Sequence, residues 1–231
     1  MKQIEHIQEF MDIASIKYFT EARGRWVFRG QADSTWELMP SVGRENHTSK
    51  DREKYERSLF DIFCRETHGY LQSLPKDEWE WLSVAQHHGL PTRLLDFTHN
   101  PLVALYFAVT SNINSSGVLI ALHASTKASE NSRKNSPFNI AKPAKFYPNT
   151  VTQRIRAQEG LFLVSPKPEM PIDSVLRSDW KLERYEIPAK AKEKIRYELF
   201  RVGVHASALF PDIDGLAQRI KWQHTVKANS G

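Results

Sequence analysis

An arginine beside a glycine, at the end of a hydrophobic segment, is the first group in the chain that could bind a ligand. Arg29 and Gly30 close the stretch Arg25–Gly30, whose β-forming residues predict a strand. A guanidinium offers a planar fork of donors that suits a diphosphate or a carboxylate, and a glycine lets a ligand approach the backbone. A surface turn is the competing interpretation of this pair.

A second candidate segment runs from Ala85 to Asn100 and sets hydrogen-bonding side chains between apolar ones. A surface loop would not need the apolar residues Leu94, Leu95 and Phe97. A core would not accept Arg93 and Asp96 unless they were paired. Two interpretations remain open: a buried Arg93–Asp96 contact that holds the loop, or a polar ligand pocket.

The adjacent histidines of this segment do not have the spacing of a metal site. The side chains of His87 and His88 point about 100° apart on a helix, so both rings cannot easily bind one ion. We therefore expect no metal, and interpret one ring as a hydrogen-bonding group of the pocket or as a cation at a helix C-terminus.

A third candidate segment places Gln158 and Glu159 directly before an apolar strand. Arg154 and Arg156 precede this pair and would keep the carboxylate ionised if they lie close to it. An exposed helix end is the alternative. The motifs of P-loop proteins, dinucleotide-binding Rossmann folds, zincins and serine hydrolases are missing from the sequence.

The composition is that of a globular protein, with 40% hydrophobic residues and a formal net charge of +5. This charge permits contact with nucleic acid or nucleotide phosphates without establishing either. The polar N-terminal residues predict no secretory signal, and no apolar run reaches the length of a membrane span. We expect a cytoplasmic protein without a membrane segment, and Cys64 as a buried helix thiol.

The elements that must position these residues follow from hydrophobic periodicity and from capping residues. Helices are predicted over about Lys2–Phe19, Ser49–Leu74, Glu78–His87, Pro101–Ala108, Pro188–Phe200 and Ile213–Trp222. Strands are predicted over Arg25–Gly30, Arg93–Phe97, Gly117–Leu122, Leu161–Ser165 and Leu182–Ile187. In the second helix the predicted buried stripe is Tyr55, Leu59, Ile62 and Phe63, and Ser125–Asn149 is predicted to be a long surface loop.

Taken together, these segments resemble the FRG domain family, which is named for its Phe-Arg-Gly motif. The opening block is Phe28–Gln31 with Trp36, Leu38 and Pro40, and the most specific block is Gln86–Asp96, followed by Thr98, Asn100 and Ala104–Ala108. Later blocks are Arg154, Ile155, Gln158, Gly160 and Phe162, and then Leu209–Asp212 with Asp214–Leu216. The resemblance extends from about residue 8 to residue 220, so residues 1–231 are expected to form a single domain.

A weaker resemblance to Arg-Ser-Glu type ADP-ribosyltransferases implies an α+β fold: a split core of two small β-sheets wrapped by helices. It implies that Arg29, Thr98, Gln158 and Glu159 are catalytic. It further implies that NAD is bound by Arg29, Gly30, Gln31, Gln86, His87, Thr92, Arg93 and Asp96.

In this scheme Arg29 holds the diphosphate or a ribose hydroxyl, and the Gly30 backbone holds the nicotinamide amide. Glu159 binds the ribose and stabilises the oxocarbenium ion. The sequence departs from the pattern at Asp96, which stands where the first serine would be, and in the compressed Gln158-Glu159 spacing. If Gln158 is the true equivalent, the catalytic carboxylate is missing.

The implied function is an NAD-dependent ADP-ribosyltransferase, a toxin or defence effector of bacterial or phage-related type. Its partners would be NAD, a protein or nucleic-acid acceptor and an antitoxin. One alternative is a non-catalytic module that binds a nucleotide or nucleic acid through Arg29, Arg93, Arg154 and Arg156. The other is an NAD glycohydrolase, in which water replaces the acceptor.

Overall fold

The computed structural model describes residues 1–17, 26–44, 51–71, 73–125, 127–128, 133–149 and 152–229. Three predicted boundaries lie outside these ranges: the end of the first helix at Phe19, the start of the first long strand at Arg25 and the start of the second helix at Ser49.

The described part of the chain contains nine α-helices, most of them close to the predicted positions. They are α1 (Ile7–Lys17), α2 (Ser41–Arg44), α3 (Arg52–Thr67), α4 (Glu78–His87), α5 (Pro101–Val109), α6 (Gln153–Ala157), α7 (Ala189–Arg201), α8 (Ala206–Leu209) and α9 (Ile213–Asn229). Two short 3-10 helices cover Pro137–Asn139 and Ile172–Val175. No helix in the described ranges is both long enough and apolar enough to cross a membrane.

The described strands form one mixed sheet of seven strands, in the order β1-β7-β4-β2-β3-β6-β5. They are β1 (Lys2–Gln3), β2 (Trp26–Gln31), β3 (Leu94–Thr98), β4 (Gly117–His123), β5 (Ala144–Phe146), β6 (Gly160–Val164) and β7 (Lys181–Ile187). Only β1 and β7 pair in parallel, and the other neighbours are antiparallel. The predicted α+β class is confirmed, but the strands form one connected sheet instead of two separate ones.

The pairing between β2 and β3 is much shorter than the other pairings near the centre of the sheet. β2 pairs with β4 along its whole length, whereas it pairs with β3 only at Phe28 and Thr98. The stretch Arg29–Gln31 therefore has no strand neighbour on its β3 side within the described residues. The sheet opens at this point, and Arg29 and Asp96 lie on the two strands that border the opening.

Helices α1, α5 and α7 cover one face of the sheet with a continuous apolar cluster that includes Phe10, Phe28, Ala104, Leu119 and Ile195. Helices α3 and α4 pack against the β3-β6-β5 end through Phe60, Trp79, Leu94, Phe146 and Phe162. The predicted caps are confirmed, since Asp77 accepts a hydrogen bond from Glu80 N and Asn100 accepts one from Leu102 N. These caps set where α4 and α5 begin, and both helices supply residues that border the opening.

The predicted surface loop from Ser125 to Asn149 is partly wrong. Its described part contains the 3-10 helix Pro137–Asn139 and the edge strand β5, which pairs with β6. Phe146 is almost fully buried and contacts the rings of Trp79 and Phe162. The segment is mostly polar, but a few of its apolar residues are buried and fix it against the rest of the fold.

The predicted buried stripe of α3 is also wrong in detail. Ile62 is 42% exposed, and the fully buried positions are Glu56 and Phe60. A glutamate would not be expected to face a core without a partner, and this partner is described below. Cys64 is half-buried, and burial raises the pKa of its thiol to about 11, so the thiol stays protonated at neutral pH.

Candidate functional site

A cavity with a volume of about 310 Å³ lies where β2 and β3 separate and is bordered by α4, α5 and α6. This volume is at the lower end of the range for small-molecule sites. Eight of the predicted site residues line it: Arg29, Gly30, Gln31, Gln86, His87, Asp96, Thr98 and Gln158. Three others do not, namely Thr92, Arg93 and Glu159.

Arg29 bridges the opening between the two strands. Its Nη1 atom donates a 2.6 Å hydrogen bond to the Asp96 carbonyl oxygen and lies 3.8 Å from Asp96 Oδ2. Burial lowers the pKa of the guanidinium, Asp96 opposes this shift and Arg44 adds to it. Its Nε atom is buried without a hydrogen-bond partner among the described residues. A guanidinium stays charged in proteins, so Arg29 holds a positive charge that is incompletely compensated.

A short chain of hydrogen bonds fixes the Asp96 carboxylate at the edge of the pocket. The Thr92 hydroxyl donates to Gln86 Oε1 at 2.7 Å, and Gln86 Nε2 donates to Asp96 Oδ2 at 3.0 Å. Because the first bond occupies the Gln86 oxygen, it turns the amide nitrogen toward Asp96. Thr92 is fully buried and lies outside the lining, so it orients Gln86 instead of contacting a ligand.

Thr98 and Gln158 are joined in the same way. The Thr98 hydroxyl donates to the Gln158 carbonyl oxygen at 2.6 Å and accepts from Asn100 N at 2.9 Å. Gln158 Nε2 donates to the Leu209 carbonyl oxygen at 3.1 Å. This bond occupies the amide nitrogen of Gln158 and leaves Oε1, an uncharged hydrogen-bond acceptor, for a ligand.

Glu159 lies outside the pocket lining, although it follows Gln158 directly. It is exposed, and its carboxylate accepts a 3.1 Å hydrogen bond from Asn100 Nδ2. Its φ of 47° is a left-handed conformation, which costs a non-glycine residue about 1–2 kcal/mol. This residue ends α6 at the position where glycine is usual, and the turn directs Gln158, not Glu159, into the pocket.

Arg93 is fully buried away from the pocket and pairs with Glu56. Glu56 accepts from Arg93 N, Nε and Nη2 at 2.8, 3.0 and 2.8 Å. The predicted contact between Arg93 and Asp96 is therefore wrong. The physical reason is the two-residue period of an extended chain, which sends side chains three positions apart to opposite faces.

The charged groups that line the pocket are mostly positive. Arg44 and Arg154 join Arg29, and Asp96 is the one carboxylate among the described lining residues. Burial lowers the pKa of His87, the nearby His88 and Arg154 add to this effect, and Asp96 opposes it. His87 is therefore neutral at pH 7. The three arginines outnumber the single carboxylate, so the site favours an anionic ligand.

The sequence did not mark Arg44 or Trp36 as binding residues, although both line the pocket. Arg44 is a solitary basic residue outside the motifs, and no spacing rule singles it out. Trp36 belongs to the opening motif block, but the sequence does not indicate on which surface its ring lies. Among the described residues, no group of three or more His, Cys, Asp or Glu side chains is arranged to hold a metal ion.

Gly30 is needed for packing as well as for access to the pocket. A Cβ atom at this position would lie 1.8 Å from the Ala104 carbonyl oxygen and 2.6 Å from Ala108 N, both in the backbone of α5. We expect Gly30→Ala to lower the free energy of unfolding by about 1–3 kcal/mol, because α5 must move away from β2. Urea denaturation measures this change.

The matched control for this substitution is Gly69→Ala. A Cβ atom at Gly69 would meet no heavy atom within 4 Å, so the change is expected to stay within about 0.5 kcal/mol. Equal stabilities of the two variants would contradict the close approach of α5 to β2.

Comparison with known families identifies one match. The model of the FRG domain matches residues 24–117, which include Arg29, Gln86, Asp96 and Thr98. Gln158 and the later motif blocks lie outside this range. No curated protein and no solved structure matches the chain.

Proposed function

Since residues 24–117 match the model of the FRG domain, we propose that the chain binds NAD in the pocket between β2 and β3 and acts as an NAD-dependent ADP-ribosyltransferase. The observation that carries this proposal is the convergence of Arg29, Thr98 and Gln158 on one pocket. These residues are far apart in the sequence, and the resemblance to Arg-Ser-Glu ADP-ribosyltransferases assigns all three positions to the NAD site. The opening of the sheet between β2 and β3 also fits the split core of those enzymes.

The charge and the walls of the pocket suit a dinucleotide. Arg29, Arg44 and Arg154 offer donors to a diphosphate, with Asp96 as the opposing charge in the described lining. Arg44 lies close enough to Arg29 to lower the pKa of the Arg29 guanidinium. An anionic ligand relieves this repulsion. Aromatic rings in the lining, among them Phe107 and Trp36, supply flat apolar surface for the bases.

The hydrogen bonds of the site suggest what each polar group does with bound NAD. Arg29 keeps donors for a phosphate or ribose oxygen, because its contacts with Asp96 use only Nη1. Gln158 Oε1 can accept a hydrogen bond from a ribose hydroxyl. Thr98 acts as a positioning residue, because its hydroxyl already makes one donor and one acceptor bond within the protein.

In the proposed reaction the bond between nicotinamide and the ribose C1′ atom breaks, and its electron pair leaves with nicotinamide. A nucleophile of the acceptor forms the new bond to C1′ and gives its proton to a base or to water. Positive charge builds on the ribose between these events, so a nearby carboxylate lowers the barrier. Asp96 is the one carboxylate among the described residues that line the pocket, and a hydrogen bond from Gln86 holds it in place.

A second candidate function is the binding of a nucleotide without its cleavage. One specific observation favours it: an amide, Gln158, faces the pocket where the transferase pattern has a glutamate, and Glu159 is bound to Asn100 outside. An NAD glycohydrolase would use the same site with water as the acceptor. A protein or nucleic-acid acceptor, an antitoxin partner and a role as a toxin or defence effector in the cytoplasm belong to the transferase proposal.

NAD binding is expected to depend on Arg154 far more than on Arg156, its neighbour in α6. Both arginines are exposed, but only Arg154 lines the pocket. A hydrogen bond to a charged group contributes about 1.5–3 kcal/mol, so Arg154→Gln should weaken binding about 10–150-fold and Arg156→Gln should leave it almost unchanged. Isothermal titration calorimetry with NAD measures both affinities.

Because the Arg154 guanidinium also stacks on the Phe210 ring at 4.6 Å, thermal unfolding must show that both variants stay folded. Equal loss of affinity in the two variants would contradict a specific phosphate contact. Nicotinamide release with label on protein or nucleic acid in a lysate supports the transferase, and release without label supports the glycohydrolase. Binding without release supports the nucleotide-binding module.

A further inference from the structure

Trp36 is an exposed tryptophan in the wall of a cationic pocket. Its ring lines the cavity together with Arg44 and Arg154, and the residue is 43% exposed. Within the described ranges the indole makes no hydrogen bond and no stacking contact with another ring. The exposed part of this large aromatic side chain is therefore available to a ligand in the pocket.

The backbone on both sides of Trp36 is held in place. On one side, Asp33 Oδ1 accepts hydrogen bonds from the backbone and the hydroxyl of Thr35, and the Asp33 carbonyl accepts one from Trp36 N. On the other side, the Glu37 carbonyl accepts a hydrogen bond from Gln31 Nε2 at 3.2 Å. The ring is thus carried by a short, fixed segment, which reduces the entropy that a ligand would lose on stacking against it.

Building on the proposed function, we propose that Trp36 is the stacking surface for the adenine base of the bound nucleotide. Flat nucleobases stack on aromatic side chains, and nearby arginines bind the phosphates to which the base is attached. The adenine end is the suitable occupant, because the nicotinamide end must lie where water is excluded from the reacting carbon. Thr98 is buried and Arg29 and Gln158 are partly buried, so these polar groups suit the nicotinamide ribose. The half-exposed Trp36 ring suits adenine.

The test compares ligands that contain adenine with one that lacks it. Calorimetry with ADP-ribose, AMP and nicotinamide mononucleotide is done on the wild type, Trp36→Ala and Trp36→Phe. Stacking of one base contributes about 1–3 kcal/mol, so Trp36→Ala should weaken ADP-ribose and AMP binding about 5–150-fold. Binding of nicotinamide mononucleotide should not change, and Trp36→Phe should keep most of the affinity. Tyr197→Ala, which removes an exposed aromatic ring outside the pocket, is the control.

Unchanged ADP-ribose affinity in Trp36→Ala would overturn the assignment, and so would an equal loss of affinity for nicotinamide mononucleotide. If the wild type binds ADP-ribose in a Trp36-dependent way but releases no nicotinamide from NAD, the transferase proposal fails and the adenine site stands. If the wild type binds none of the three ligands, both proposals are overturned. If Trp36→Ala weakens the binding of single-stranded oligonucleotides but not that of ADP-ribose or AMP, the adenine site is overturned. Trp36 would then bind a nucleobase of the acceptor.

Discussion

Replacing Glu56 by alanine is expected to lower the free energy of unfolding by about 3–5 kcal/mol, because it leaves the buried charge of Arg93 without a partner. Both side chains are fully enclosed, and Glu56 receives three hydrogen bonds from Arg93. Burial raises the pKa of the Glu56 carboxyl, and its attraction to Arg93 opposes the shift. Thermal unfolding measures the loss, which should appear as a decrease in Tm of about 6–20 °C.

Two further variants separate the unpaired charge from other effects of the substitution. Glu53→Ala removes an exposed carboxylate from the same helix and should change stability by no more than about 0.5 kcal/mol. The double variant Glu56→Leu with Arg93→Met replaces the pair by apolar side chains and should recover most of the stability. Recovery will be incomplete, because Arg93 also donates to the Pro137 and Phe138 carbonyls. A Glu56→Ala protein as stable as Glu53→Ala would contradict the buried pair.

This pair also shows where sequence reasoning reaches its limit. The prediction that a buried Arg93 must be paired is correct, but the predicted partner, the nearby Asp96, is wrong. The true partner lies 37 positions earlier, on α3, and only the tertiary packing of α3 beside β3 brings it close. A glutamate four positions before Phe60 on the buried face of α3 was the available signal.

Local chemistry predicted the elements around the pocket well. Asp77 and Asn100 begin their helices as capping rules require, and the β-rich runs became β2, β3 and β4. The joining of the strands into one sheet depends on long-range pairing, which periodicity does not encode. The edge strand β5 was missed because its three residues lie in a polar segment.

The candidate site could also be predicted only in part, because its geometry depends on long-range packing as well as on local motifs. The motif blocks predict that Arg29, Thr98 and Gln158 lie near one another, and all three line the pocket. The orientation of Gln158 against Glu159 depends on one left-handed residue at the end of α6, and sequence spacing does not determine which of two adjacent side chains faces inward.

The second large effect concerns the carboxylate of the proposed reaction. Asp96→Asn is expected to lower the rate of nicotinamide release about 10–100-fold, because it removes the negative charge that the pocket offers to the developing positive charge on ribose. Solvent screening keeps this loss below that of an enclosed carboxylate, since the Asp96 side chain is 64% exposed. Asparagine keeps the shape of the side chain, and its oxygen can still accept the hydrogen bond from Gln86. Folding and NAD affinity should therefore change little, and kcat should change more than KM.

The comparison variant is Glu159→Gln, which deletes the neighbouring charge outside the pocket and should lower the rate much less. Its carboxylate is engaged by Asn100, and a glutamine oxygen can accept the same hydrogen bond. Nicotinamide release measured on both proteins under saturating NAD decides between the two acids. Loss of activity in Glu159→Gln with full activity in Asp96→Asn would show that Glu159 enters the pocket when NAD binds, and would contradict the role given to Asp96. Full activity in both would mean that neither charge stabilises the ribose cation.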